Sequence, residues 1–259
     1  MSPQAQLQHP APQPRAVGPR ALLRAFAAGW QVLARAPRPS LCFGAAFTVA
    51  GTLLVWGAQA LHLAAMTIPL LGGFLLFGPV LSAGLLGVSS AVRHSRPAGV
   101  AAILGAIRGA RRGLWALSLF CLLMFLIWLS DAGTLYSFML GERSQGLAAA
   151  LPLDPRSLRF HAASAATGFV IANLVFAVTA HSVPLLVRGR ASLVGAVMAS
   201  VRATFRSPLA HALWALALAA GVFASLLLPP LLIVSLPLLA YTGDALHVEI
   251  FGDARRKPR

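Results

Sequence analysis

Three polar side chains interrupt the apolar runs of this chain where chemistry could be done: Asn173, His181 and Asp244. An imidazole and a carboxylate at one depth can share a proton or form an ion pair, and an ionisable group inside a membrane is by default a functional hypothesis. Counting turns puts His181 and Asp244 at similar depth near one end of their stretches, with Asn173 near the middle of its own. The competing reading leaves Asp244 close enough to water to be solvated, or pairs it with Arg188. Other chemistry lacks its residues. The sequence contains no Gly-x-Ser-x-Gly elbow, phosphate-binding Gly-x-x-x-x-Gly-Lys or His-Glu-x-x-His motif. Its six acids leave little for general acid–base work, so neither an enzyme nor a cofactor is expected.

A second group of residues bears on helix shape. The stretch 64–92 carries Pro69, Gly72, Gly73, Gly78, Pro79, Gly84 and Gly87. Small residues let helices approach closely in lipid, and proline kinks a helix by removing an amide hydrogen. Gly72, Gly73, Gly78, Pro79 and Gly84 are therefore candidates for packing or kinking. A broken helix at this point would expose backbone groups able to bind a solute.

The elements that must position these residues belong in a bilayer. The chain is 58% hydrophobic and 10% charged, with a mean hydropathy of +0.78. Soluble domains carry about a quarter charged residues, so a soluble fold of this length could not hide such an apolar surface, whereas lipid takes the place of a core. The net charge of +15 and pI of 11.9 suggest nucleic acid. However, the 21 basic residues are spread through connecting segments and lack interleaved aromatic platforms, so no nucleic-acid partner is expected. Cys42 and Cys121 sit in apolar stretches outside any Cys-x-x-Cys and read as small buried hydrophobes.

A spanning helix needs about 20 apolar residues. The candidates are 41–61, 64–92, 114–135, 162–187, 209–228 and 231–250, the last two divided by Pro229-Pro230. Basic residues fall on alternate connectors: 18 of the 21 lie before the first span, after the second, after the fourth or after the last. The three others lie between spans three and four, balanced by Asp131, Glu142 and Asp154. The positive-inside tendency then puts both termini in the cytoplasm of a bacterial inner membrane. Residues 1–18 read as a disordered proline-rich tail, 19–252 as the membrane domain and 253–259 as a basic tail. No basic-then-apolar start of a cleavable signal is present, so the first span is expected to serve as an uncleaved insertion signal.

Each basic segment before a hairpin has helical periodicity. Leu23, Phe26, Trp30 and Leu33 follow it in the first, Val194, Val197, Val201 and Phe205 in the third with Ser192 as N-cap, and Ile103 and Ile107 mark the shorter middle one. Such segments suit helices at the inner interface, with arginines among anionic headgroups, or cytoplasmic helices packed on the bundle. The predicted fold is all-α: six transmembrane helices as three hairpins, each preceded by an amphipathic interfacial helix. Arg35-Ala36-Pro37 aligns with Arg206-Ser207-Pro208, which marks units one and three as an internal repeat.

The run Gly29-Trp30, Ser40-Leu41, Gly44, Gly73-Phe74, Gly78-Pro79 and Gly84-Leu85, followed by Ser182, Pro184-Leu185-Leu186, Ala196, Ser200 and Trp214, resembles an uncharacterised family of predicted bacterial integral membrane proteins. The resemblance covers roughly residues 20–250, and the chain departs from the family pattern in lacking an acid between Gly87 and Arg96. Some members of that family are labelled cytochrome c oxidase subunits. A haem–copper catalytic subunit needs a His-x-x-x-Tyr and an adjacent histidine pair, and this sequence has neither. The expectation is a structural or accessory partner of a membrane complex, associated with another membrane protein or with its own copies. A small permease or channel-like transporter is the alternative, and an oxidase-associated subunit stands last. In the topology so drawn, a reporter fused after Arg259 signals from the cytoplasm, and one inserted between Asp131 and Arg159 signals from the periplasm. The opposite result at either position overturns the six-crossing arrangement.

Overall fold

Proline marks where this chain starts its helices. Proline lacks an amide hydrogen that the first turn does not use, and its fixed φ already suits a helix. The computed structural model describes residues 12–63, 66–67, 69–70, 79–109, 112–140 and 154–252. Its helices are α1 (Pro19–Arg35), α2 (Pro37–Ala60), α3 (Pro79–Arg93), α4 (Val100–Arg108), α5 (Arg112–Met139), α6 (Pro155–Thr179), α7 (Ser182–Val187), α8 (Leu193–Arg206), α9 (Pro208–Leu227) and α10 (Leu232–Phe251). Five of these begin on a proline. Among the described residues there is no strand.

The residue before a proline is excluded from helical backbone, so a proline at N1 also ends the helix before it. Ala36 and Ser207 show this at equivalent points. Ala36 closes α1 at φ −133°, ψ 59°, and Ser207 closes α8 at φ −136°, ψ 61°. The two junctions aligned from sequence thus share one backbone geometry.

Five stretches of the described residues are long and apolar enough to cross a membrane: Pro37–Ala60, Arg112–Met139, Pro155–Val187, Pro208–Ser225 and Pro229–Phe251. Their apolar side chains stay largely outside the protein interior, with Trp56 71% and Phe169 70% exposed, as lipid-facing side chains do. Of the expected span 64–92, the described helix is α3; Gly72, Gly73 and Gly78 lie outside the described residues. Asp131, assigned to a connector from the sequence, is inside α5, which runs on to Met139.

The chain divides into two compact units. The first comprises Met1–Ala45, Pro79–Ser118 and Phe176–Arg259. Its core contains Val32, Leu33, Leu85, Val88, Ile103 and Tyr241. Close helix contacts are made at small residues. A Cβ built on Gly29 would lie 2.6 Å from Thr242 Oγ1, and one on Gly44 would lie 2.2 Å from the Ile233 carbonyl oxygen. Gly84 and Gly87 bring α3 against Ile103 and Ala102 of α4. After the 3-10 turn Pro229–Leu231, α10 packs on α9, where Ser225 and Ser235 share a 2.9 Å hydrogen bond and Gly221 faces Leu239.

In the amphipathic segments, several of the large periodic residues are exposed, on the side that the interfacial reading turns toward lipid and the bundle-packed reading would bury. The buried residues of α1 are Ala21, Leu22, Ala25, Gly29, Val32 and Leu33, whereas Leu23 and Trp30 are exposed. In α8, Ala196, Ala199, Ser200 and Ala203 are buried, whereas Val194 and Phe205 are exposed. Small residues face the protein because they let backbones approach, and several of the large apolar residues are left for a second apolar phase. Ser192 caps α8 through a bond from the Gly195 amide, 3.2 Å. Residues 12–18, assigned from sequence to the disordered tail, are held here: the Arg15 amide donates to the Ile250 carbonyl at 2.9 Å and the Val17 amide to Ser207 Oγ at 2.9 Å.

The second unit comprises Ala46–Gly78 and Leu119–Val175. Met66, Ala132 and Phe160 form its buried core. α5 and α6 are tied by Trp128 Nε1 donating to the Ser164 carbonyl at 3.1 Å and Thr167 Oγ1 donating to Asp131 Oδ2 at 2.8 Å. Gly168 leaves room for the Trp128 indole. Asp154 caps α6, accepting from Ser157 Oγ at 2.5 Å and from the amides of Arg156 and Ser157. The Ser157 hydroxyl and amide hold its carboxyl below the ordinary value. Of the two cysteines, Cys121 is buried as expected, but Cys42 is exposed, because α2 turns that face away from the protein.

Glycine contacts give a direct test. Gly44→Ala would drive a methyl group into backbone, which cannot rotate away, and is expected to cost about 1–3 kcal/mol or more in detergent unfolding. Gly57→Ala, whose Cβ would meet nothing within 4 Å, is expected to be neutral or slightly stabilising.

Candidate functional site

The polar interior of the first unit is organised around α10. Tyr241, Asp244 and His247 follow each other at three-residue intervals, so they lie on one side of the helix, and all three are buried. Tyr241 and Ser40 share a hydrogen bond of 2.6 Å between hydroxyls. One turn further on, the Asp244 carboxylate is removed from solvent altogether.

Both oxygens of Asp244 are claimed. Arg188 donates through Nη2 to Oδ1, Arg93 donates through Nη2 to Oδ2, and Ser89 Oγ donates to Oδ2 at 2.7 Å. Arg93 is the last residue of α3 and Arg188 follows the last residue of α7, positions where a cation also meets the negative end of a helix. Two guanidiniums against one carboxylate leave the cluster with one excess positive charge. Arg188 also buries its Nη1 without a partner among the described residues.

One turn beyond, three imidazoles meet. His181, His211 and His247 are all essentially inaccessible. His181 and His211 approach through their Nε2 atoms at 2.9 Å, and His211 Nδ1 lies 2.8 Å from the Ser207 carbonyl. A carbonyl can only accept, so the Nδ1 of His211 carries a proton. In neutral rings its Nε2 is then the acceptor and His181 Nε2 the donor. That assignment leaves His181 Nδ1 as a bare lone pair, with no partner among the described residues. His247 stacks on Phe251 with centroids 4.9 Å apart and lies 5.7 Å from His181. Neither of its ring nitrogens has a partner among the described residues. Around this row, the His181 amide donates to Ser200 Oγ at 3.1 Å, Ser200 Oγ donates to the Ala177 carbonyl at 2.8 Å, and Arg190 caps the end of α10 through the carbonyls of Gly252 and Phe251. Among the described residues, no three His, Cys, Asp or Glu side chains are arranged to hold a metal ion. The arrangement can hold charge and pass a proton along the His181–His211 bond. No nucleophile–base pair of the hydrolytic kind is formed by these residues.

The candidates from sequence fall out as follows. His181 and Asp244 both enter the buried polar interior of the first unit but bond to different partners, and the Arg188 alternative is the contact observed. Asn173 belongs to the second unit, where it is exposed and its amide donates to the Phe169 carbonyl of its own helix at 2.8 Å. Pro79 opens α3, and Gly84 lies against Ile103. Ser89, Arg93, His211 and His247 join the site without having been singled out. Only His247 had a local signal, the three-residue spacing from Asp244; the others come from segments remote in sequence.

The comparisons agree with the membrane reading. Residues 66–188 match the family model described as "Predicted integral membrane protein (DUF2189)", a domain of unknown function. Neither the curated proteins nor the solved structures contain a match to this chain.

The charge count orders the variants. Asp244→Asn leaves two partly buried guanidiniums without a counter-charge, for which a loss of up to about 3–5 kcal/mol is expected. Arg93→Gln leaves the neutral Arg188–Asp244 pair and is expected to cost clearly less. Thermal unfolding of the two variants in one detergent checks the order, and equal losses contradict it.

Proposed function

We propose that this chain is a structural or accessory component of a bacterial inner-membrane complex, crossing the membrane six times as three hairpins with both termini in the cytoplasm. The observation that carries this reading is the internal saturation of Asp244. A carboxylate that binds a transported ion or enters a reaction must have an oxygen free for it, and here both oxygens are held by side chains of the same unit. The pairing joins α3, α10 and the segment following α7. Its chemistry is that of a fastening: two guanidiniums and a hydroxyl hold one carboxylate between helix ends.

A second reading, a small proton- or solute-conducting permease, is favoured by one specific observation: His181 Nδ1 and both ring nitrogens of His247 have no partner among the described residues. Buried imidazole nitrogens without protein partners are where water or a solute would be held. The two readings separate experimentally. Mild-detergent purification of the full-length protein followed by mass spectrometry is expected to recover a membrane-protein partner in fixed stoichiometry. Proteoliposomes of the protein alone are expected to be tight to protons and small solutes. Flux that His247→Ala abolishes, with no stoichiometric partner, would replace the first reading by the second.

A further inference from the structure

One cavity lies beside the ion cluster and shares Ser89 and Arg93 with it. It has a volume of about 110 Å³ and is walled by three helices of the first unit. α1 presents Ala28, Gln31, Val32 and Arg35, α3 presents Ser89, Val92 and Arg93, and α10 presents Tyr241 and Ala245. These spacings of three and four show one face of each helix turned toward a common space. A single water needs only about 10–15 Å³ on this measure, so the cavity admits a group of several heavy atoms. Ala28 and Ala245 keep it open.

Its polar lining has one sign. Arg35 and Gln31 have no side-chain partner among the described residues, and Arg93 uses one guanidinium nitrogen on Asp244, leaving further donors. Ser89 and Tyr241 complete the wall, both nearly inaccessible and with their hydroxyl protons already given to Asp244 Oδ2 and Ser40 Oγ. Among the described residues, no carboxylate lines the cavity. Arg35, Arg93 and Arg188 set against Asp244 leave two positive charges at and beside it. That surplus and the guanidinium and amide donors of Arg35, Arg93 and Gln31 match a phosphoryl group, whose oxygens take guanidinium donors. Leu23 and Trp30, exposed on α1, set this helix at an apolar boundary, the depth at which lipid phosphates lie.

We propose that Gln31, Arg35 and Arg93 form a binding site for a phosphoryl anion, of the kind carried by an acidic phospholipid headgroup or by a small soluble phosphate compound, with Ser89 and Tyr241 in its wall. This site is independent of whether the protein is an accessory subunit or a permease. The test uses full-length protein in mild detergent and reads the shift of its unfolding temperature with added ligand. The probes are inorganic phosphate, short-chain phosphatidic acid and, as the zwitterionic comparison, short-chain phosphatidylcholine. Stabilisation by phosphatidic acid alone identifies the lipid source, and stabilisation by inorganic phosphate as well identifies a soluble one. Arg35→Gln removes a charge-assisted contact and is expected to weaken the response roughly tenfold or more in apparent affinity. Ala28→Leu fills the cavity without altering any charge and is expected to weaken it similarly. Arg206→Gln, at the repeat-equivalent position away from the cavity, retains the wild-type response. The proposal is overturned if neither anion stabilises the protein more than phosphatidylcholine does. It is equally overturned if Arg206→Gln loses as much as Arg35→Gln, or if Ala28→Leu loses nothing.

Discussion

The folded arrangement of the first unit depends on keeping a carboxylate ionised where there is no water. Taking an isolated carboxylate out of solvent costs many kcal/mol, and a buried charge is tolerated only when paired and hydrogen-bonded. Asp244 meets that condition by drawing in three donors from two other parts of the chain, Ser89 and Arg93 on α3 and Arg188 after α7. Removing the carboxylate leaves both guanidiniums without a counter-charge, whereas removing one arginine leaves a neutral pair. The pair adds little specificity to where the chain crosses lipid. What it specifies is which helix ends are brought to α10.

Around that centre, the helices associate by a rule suited to lipid. Between lipid-bathed helices, apolar surface gives no net drive to associate, so close backbone approach and hydrogen bonds must hold them together. Gly29 against Thr242, Gly44 against Ile233, and Gly84 and Gly87 against α4 supply the approach. The Ser225–Ser235 and Ser40–Tyr241 bonds supply the polar contacts. The same rule explains why α1 and α8 turn alanine and glycine faces inward while Leu23, Trp30, Val194 and Phe205 are exposed. In a water-soluble protein those large side chains would be the first to be buried.

Three polar features of the first unit share α10: the Tyr241 hydroxyl, the Asp244 carboxylate and the His247 imidazole. Their differences in satisfaction are informative. Asp244 is saturated, and the Tyr241 hydroxyl is bonded to Ser40 while its residue borders the basic cavity. His247 has no hydrogen-bond partner among the described residues. A side chain that is fully satisfied holds structure, whereas an unsatisfied one marks where another molecule can enter. That contrast separates the fastening at Asp244 from the two places, the imidazole row and the basic cavity, where this protein has polar capacity to spare.

Much of the fold was legible from the chain alone because it rests on local physics. Apolar runs of membrane length, prolines opening helices and the break at Pro229-Pro230 each depend on a few consecutive residues, and the described residues have helices of spanning length at five of the six runs. Shared backbone angles at Ala36 and Ser207 follow from the same local cause, a proline next in line. The holding of residues 12–18 was not legible, because long-range bonds to Ile250 and Ser207 accompany it. At the site, composition singled out Asp244 and His181 as ionisable groups in apolar surroundings. Their partners belong to tertiary structure. Arg93 lies 151 residues from Asp244, and His211 lies 30 from His181. No periodicity within one helix encodes which end of another will meet it. Sequence by itself determined which segments are helical and apolar and which residues are too polar for their surroundings. Only the packing of α3, α7, α8, α9 and α10 decided how those residues are neutralised, since pairing energy depends on distances that chain order does not set.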